Sequence, residues 1–122
     1  MKILVDTPIW SLALRRRNRP EESSMPSELA SLAADGRVAL IGPIRQEVLS
    51  GIKEVAQFDR VRDHLRAFPD LEITSADYEE AAAFFNRCRT KGIQGSNTDF
   101  LLCAIAVRYD FPIFTTDQDF DH

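Results

Sequence analysis

The chain has 122 residues, of which 44% are hydrophobic, enough for one domain around a single core and too few for two. Its 15 basic and 19 acidic residues leave a net charge of −4, which argues against a broadly cationic nucleic-acid binder and for a soluble cytoplasmic protein. If five of those acids shared a metal-filled pocket, 14 would remain against 15 cations, and the rest of the surface would be slightly basic.

In chain order, KILV (2–5) is a short apolar run stopped by Asp6, and predicts a first strand. Thr7 and Pro8 then read as an N-cap and a first helical residue, opening a helix over 8–17. NRPEESSMPS is polar and proline-bearing, a loop before a helix around SELASLAAD that Gly36 ends. RVALI predicts a second strand. PIRQEVLSG follows as a helix from Pro43 to Gly51, with Glu47 placed on its inward stripe between Ile44 and Val48. Val55, Phe58, Val61, Leu65 and Phe68 recur at helical spacing, so a longer helix is expected over 54–68, stopped by Pro69.

LEI (71–73) is expected as a third strand. TSAD is a capping signature for the helix DYEEAAAFFNRCRTK, which Gly92 closes. NTDFLLCAIAVRY has apolar residues on most sides and predicts a helix buried in the interior; PIFT is the fourth strand. Strands separated by helices need crossover connections, so the fold class is α/β with a doubly wound parallel sheet.

Ligands of such sheets bind beyond the carboxyl ends of the strands, where the strand order reverses. Asp6 ends the first strand and Asp117 the fourth; Glu47 lies one turn into a helix and Asp99 in the first turn of another, both helices beginning at the same edge, with Asp119 nearby. Each acid has a plainer reading as a cap, a dipole partner or a solvated helix residue. Together they predict one acidic site. Clustered carboxylates need a counter-charge, and a hard divalent cation supplies it. His64 and His122 are too few for zinc, so Mg²⁺ or Mn²⁺ is expected. Cys88 and Cys103 have no CxxC spacing and fit a reducing compartment rather than catalysis. No apolar run approaches the roughly 18 residues of a membrane span, and MKILVDTP meets an acid too early for a secretory signal.

LVDTPIW, the Glu of RQEVLSG, NTDFLLCAIA and TTDQDF, in that order, resemble PIN-domain ribonucleases, in particular the VapC toxins of type II toxin–antitoxin pairs. The resemblance spans nearly the whole chain. It implies a three-layer α/β/α fold with a short parallel sheet of four to five strands. It also implies an acidic quartet at Asp6, Glu47, Asp99 and Asp117, with Asp119 as an auxiliary acid and Thr115 or Thr116 as the hydroxyl beside it. The implied activity is Mg²⁺- or Mn²⁺-dependent cleavage of structured RNA, tRNA or rRNA, by metal-activated water. The implied partners are a VapB-like antitoxin that blocks the acidic pocket, often with a basic side chain, and a second copy of the chain.

RNA also needs positive surface, for which RRRNR (Arg15, Arg16, Arg17 and Arg19) is the densest run and RCRTKG (87–92) a second. Both stand equally well as solvated helix ends. Trp10, Phe84 and Phe85 are expected in packing rather than as base-stacking platforms. Two rival functions are a receiver-type Mg²⁺-binding signalling domain and a catalytically degenerate PIN-like binding module. The receiver would need an acceptor Asp after the third strand, where Thr74 and Ser75 stand, and a late lysine, of which none follows Lys91.

Overall fold

A computed structural model describes residues 1–15 and 25–115. Three strands, β1 (Ile3–Val5), β2 (Val38–Ala39) and β3 (Ile113–Phe114), form a parallel sheet in the order β2-β1-β3. Ile3 pairs with Val38 on one side, and Leu4 and Val5 pair with Ile113 and Phe114 on the other. β1 is therefore central and hydrogen-bonded on both edges. Leu4 and Val5 are buried, as a strand covered on both faces requires.

Six helices complete the described chain: α1 (Thr7–Arg15), α2 (Met25–Ala34), α3 (Gly42–Leu49), α4 (Val55–Leu65), α5 (Ser75–Thr90) and α6 (Asn97–Tyr109). The chain passes from β1 through α1 and α2 to β2, then through α3 to α6 across to β3 on the far side of β1. That reversal makes the carboxyl ends of β1 and β3 a topological switch point. One apolar cluster joins the layers, with Leu4, Ile9, Leu40, Ile41, Ile44, Val48, Val61, Leu65, Leu102 and Ile105 almost wholly inaccessible. Each such side chain contributes roughly 1.5–3 kcal/mol by leaving water.

Gly36, Gly51 and Gly92 all have positive φ, at 69°, 85° and 75°, and each follows a helix, so the helix stops expected at all three hold. Several other expectations need correcting. Helix α1 begins at Thr7, so Asp6 rather than Thr7 is the flanking residue: its carbonyl accepts from the N–H groups of Ile9 and Trp10 at 3.2 and 3.3 Å. The expected third strand at 71–73 is reduced to an isolated parallel bridge between Leu40 and Asp70, with the Leu71 N–H donating to the Leu40 carbonyl at 2.9 Å. Pro69, immediately before it, has no N–H to extend that ladder backwards. The sheet thus has three strands among the described residues, where four to five were expected.

Helix α4 ends at Leu65 rather than Phe68, and Val55, assigned to its apolar stripe, is 72% exposed. The last turn tightens there, with the Ala67 and Phe68 N–H groups donating to the His64 and Leu65 carbonyls, because Pro69 has no N–H to offer the Leu65 carbonyl; Arg45 donates to the Leu65 and Phe68 carbonyls and to Asp70. Helix α6 is buried only through its first part, over Phe100, Leu101, Leu102, Ala104 and Ile105; Val107 is exposed.

Candidate active site

The Asp6 carboxylate lies just beyond β1, 4% exposed. Its Oδ1 accepts from the Thr7 N–H at 2.8 Å, and its Oδ2 accepts from the Thr115 hydroxyl at 2.8 Å. Thr115 follows β3, so this second bond spans the crevice between the adjacent strand ends. The backbone holds both partners in register: the Asp6 N–H donates to the Phe114 carbonyl at 3.0 Å. A buried carboxylate is tolerable only with such donors around it.

Thr7 also reaches the other way. Its hydroxyl donates to Glu47 Oε1 at 2.9 Å, tying α1 to α3. Glu47 is exposed, contrary to the inward position expected for it; Ile44 and Val48 fill the core side of α3, and Glu47 projects toward Thr7 at the helix edge. Sequence reasoning passed over Thr7 as a site residue by treating it as a cap. Its position between Asp6 and a hydroxyl-accepting acid could not be inferred without the pairing of α1 with α3.

Asp99 sits at the third position of α6 in a capping box: the Ser96 N–H donates to its Oδ2 at 2.9 Å and its own N–H donates to the Ser96 hydroxyl at 3.1 Å. The plainer reading of Asp99 as a first-turn acid is therefore correct as far as it goes. Its Oδ1 makes no hydrogen bond or ion pair among the described residues. Gly95 lets the chain before the helix pass close to it, since a Cβ there would lie 3.2 Å from the Phe100 ring and 3.5 Å from Asp99 Oδ2.

The structure thus joins Asp6, Glu47 and Thr115 through Thr7 and direct contact, and leaves Asp99 outside that bonded group. Among the described residues, no three of His, Cys, Asp and Glu stand close enough to hold one metal ion. Asp117, Asp119 and Thr116 lie outside the described residues, as do Arg16, Arg17, Arg19 and the side chain of Arg15. The donor chemistry nevertheless suits a hard divalent cation. Every candidate ligand is a carboxylate or hydroxyl oxygen, and neither Glu47 nor Asp99 is neutralised by a Lys or Arg among the described residues.

A second carboxylate is held very differently. Asp77, at the start of α5 and 3% exposed, receives Arg108 Nε at 2.8 Å and Nη2 at 2.9 Å. Burial pushes its pKa up, but the hydrogen bonds from Thr74 and Arg108 and the Arg108 charge outweigh that and hold it below the ordinary carboxylate value. It is a closed pair.

Residues 3–122 match the PIN domain family. The chain belongs to the PIN-domain family. This PIN domain is 30% identical over 121 residues to the VapC ribonuclease Mb1587 of Mycobacterium bovis and to ribonuclease VapC11 of Mycobacterium tuberculosis, covering 98% of this chain and 89% of each relative. Its fold is similar to that of VapBC2 from Rickettsia felis, solved bound to a DNA fragment from the promoter, with a TM-score of 0.77 at 18% identity over 97% of this chain and 89% of that one. It is also similar to FitAcB from Neisseria gonorrhoeae, with a TM-score of 0.64 at 19% identity over 96% and 88% of the two chains. The receiver reading falls with this assignment, and no strand forms where its acceptor residue would be needed.

Proposed function

We propose that this PIN domain is an endoribonuclease toxin that cleaves structured RNA, tRNA or rRNA, with Mg²⁺ or Mn²⁺, and that a VapB-like antitoxin neutralises it in the cytoplasm. The observation that carries the reading is the bonded group at the switch point, in which buried Asp6 is bracketed by Thr115 and Thr7 and Thr7 holds Glu47. The homologous VapC ribonucleases support the activity, and the similar VapBC and FitAcB structures support a toxin–antitoxin setting.

Asp6, Glu47, Asp99 and Asp117 would hold the cation, with Asp119 completing the shell directly or through water. When bound, a divalent cation supplies an acidified water for in-line attack on phosphorus and neutralises charge developing on the phosphodiester oxygens. The protein's own contribution is placement. Thr7 fixes the Glu47 carboxylate against rotation, Thr115 or Thr116 orients the acids beside it, and the capping box fixes Asp99 while leaving one oxygen unbonded. No side-chain nucleophile is needed, and the products would carry 3′-hydroxyl and 5′-phosphate ends. A homodimer is part of the reading, by likeness to the family.

The test is cleavage of total tRNA and rRNA by purified protein with Mg²⁺, Mn²⁺ or EDTA. Cleavage by the parent in either metal and none by Asp6→Asn is the expected result. Cleavage that persists in EDTA, or in Asp6→Asn, overturns the metal-centred reading.

A further inference from the structure

Given a net charge of −4, any polyanion must meet this protein on a local basic surface, and the two sequence candidates differ in where the fold puts them. Helix α1 starts at the acidic edge with Thr7 and carries the chain about 12 Å away before Arg15 is reached. The basic end of α5 is placed in the opposite sense. Asp77 near the start of α5 meets Arg108 near the end of α6, while Phe85 further along α5 packs edge-on against Phe100 at the start of α6, with ring centroids 5.5 Å apart. The two helices are therefore antiparallel, and the last turn of α5 lies beside the first turn of α6, which carries Asp99.

That last turn ends in Arg87, Arg89 and Lys91, all exposed. Arg87 is partly committed to Glu80, at 3.6 Å. Arg89 makes no ion pair among the described residues; its guanidinium lies over the Phe85 ring, 5.3 Å from the centroid, and Phe85 in turn braces Phe100, the residue after Asp99. Lys91 likewise makes no ion pair among the described residues, and Gly92 at φ 75° turns the chain back toward Ser96. A guanidinium stacked on a ring keeps its N–H edge directed outward and loses little further freedom on binding a phosphate.

We propose that Arg89 and Lys91 form the surface that holds the phosphodiester backbone of single-stranded RNA beside the acidic edge, deepening the nuclease reading on which the proposal rests. The phosphates next to the bond being cut lie on these cations, and the stacked Arg89 sets their distance from Asp99 through Phe85 and Phe100. A pair of cations serving only the dipole of α5 would affect helix stability and leave RNA binding alone.

The experiment measures binding of a fluorescein-labelled single-stranded oligoribonucleotide in EDTA, where metal-dependent cleavage is off, as a function of salt. Each lost phosphate contact removes about 0.7 from the slope of log K against log salt for a single strand, so Arg89→Ala/Lys91→Ala should lower it by about 1.4. Arg89→Lys should restore the slope but not the full affinity, because it keeps the charge and loses the planar stack. Lys53→Ala, an exposed cation before α4, is the control and should leave the slope unchanged. A parental slope in the double variant, an equal loss in Lys53→Ala, or no RNA binding by the parent overturns the proposal. Absence of metal-dependent cleavage by the parent, measured separately, would instead overturn the nuclease reading and leave the slope to decide the surface.

Discussion

Helices α5 and α6 begin with the same device, a hydroxyl residue capped reciprocally by an aspartate three positions later: Thr74 with Asp77, and Ser96 with Asp99. In the first, the aspartate is 3% exposed and both its oxygens are engaged, by Arg108 on each and by Thr74 on one. In the second, one oxygen caps the helix, and the other makes no hydrogen bond or ion pair among the described residues. The difference lies in the facing residues rather than in the motif. The antiparallel packing of α5 on α6 sets Arg108 opposite one box and pairs no arginine or lysine with the other among the described residues. A capping box is thus compatible with either a structural or a chemical aspartate, and the opposing charge decides which.

The comparison is tested most severely at Asp99. Asp99→Asn keeps an acceptor for the Ser96 N–H and removes the charge, so metal-dependent RNA cleavage should fall about 100-fold or more, equivalent to about 2.7 kcal/mol of transition-state stabilisation. The melting temperature should stay close to the parent's. Unchanged cleavage would return Asp99 to a purely structural role.

Asp77→Ala should show the reverse pattern. Breaking a buried pair costs about 3–5 kcal/mol, and since the Arg108 side chain is 37% exposed the expected loss is nearer about 2 kcal/mol in denaturant unfolding. If cleavage per folded molecule drops as much as it does for Asp99→Asn, the contrast between the two boxes fails.

Thr7→Val preserves shape and the backbone N–H that serves Asp6, and deletes only the hydroxyl that holds Glu47. By analogy with outer-sphere partners of metal ligands, Mn²⁺ affinity followed by calorimetry should weaken about tenfold, or about 1.4 kcal/mol. Thr7→Ser should recover most of it.

The smallest expected effect is on pH dependence. The folded pKa of Asp77 lies below its ordinary value of 3.8, so its contribution is fully present above that value and is lost as pH falls through the lower, folded one. Urea midpoints followed down from pH 5 should therefore decline more steeply for the parent than for Asp77→Asn. Parallel curves would mean the pair gives no acid-side stability.

Most of this fold was legible because its strands are short apolar runs and its helices carry explicit stops. Gly36, Gly51 and Gly92 fall where the chain needs positive φ, and TSAD forms the capping box its spacing implies. What could not be read was anything decided by a distant partner. LEI has the composition of a strand but hydrogen-bonds along the sheet only through the Leu71 N–H to Leu40; the Val55–Phe68 stripe overran its helix because Pro69 leaves the Leu65 carbonyl without an N–H, and a distant residue, Arg45, takes that carbonyl instead. Glu47 was placed on the apolar stripe by spacing alone, whereas one step around the helix turns it out to Thr7. At the site, sequence order predicted Asp6, Glu47 and Asp99 at one edge, but not the bonding between α1 and α3 that joins the first two and leaves the third in its own capping box. Asp117 and Asp119 lie outside the described residues.

Trp10 is the one tryptophan in the chain, four residues past Asp6 on α1. It is 2% exposed, its indole N–H has no hydrogen-bond partner among the described residues, and its ring stands edge-on to Phe68 at 5.2 Å. An indole withdrawn from water emits at shorter wavelength than one exposed to it. Intrinsic fluorescence at a single wavelength pair therefore reports whether α1 is seated against the chain beyond α4, and with it whether the helix that Asp6 precedes is in place, without any label near the acids themselves.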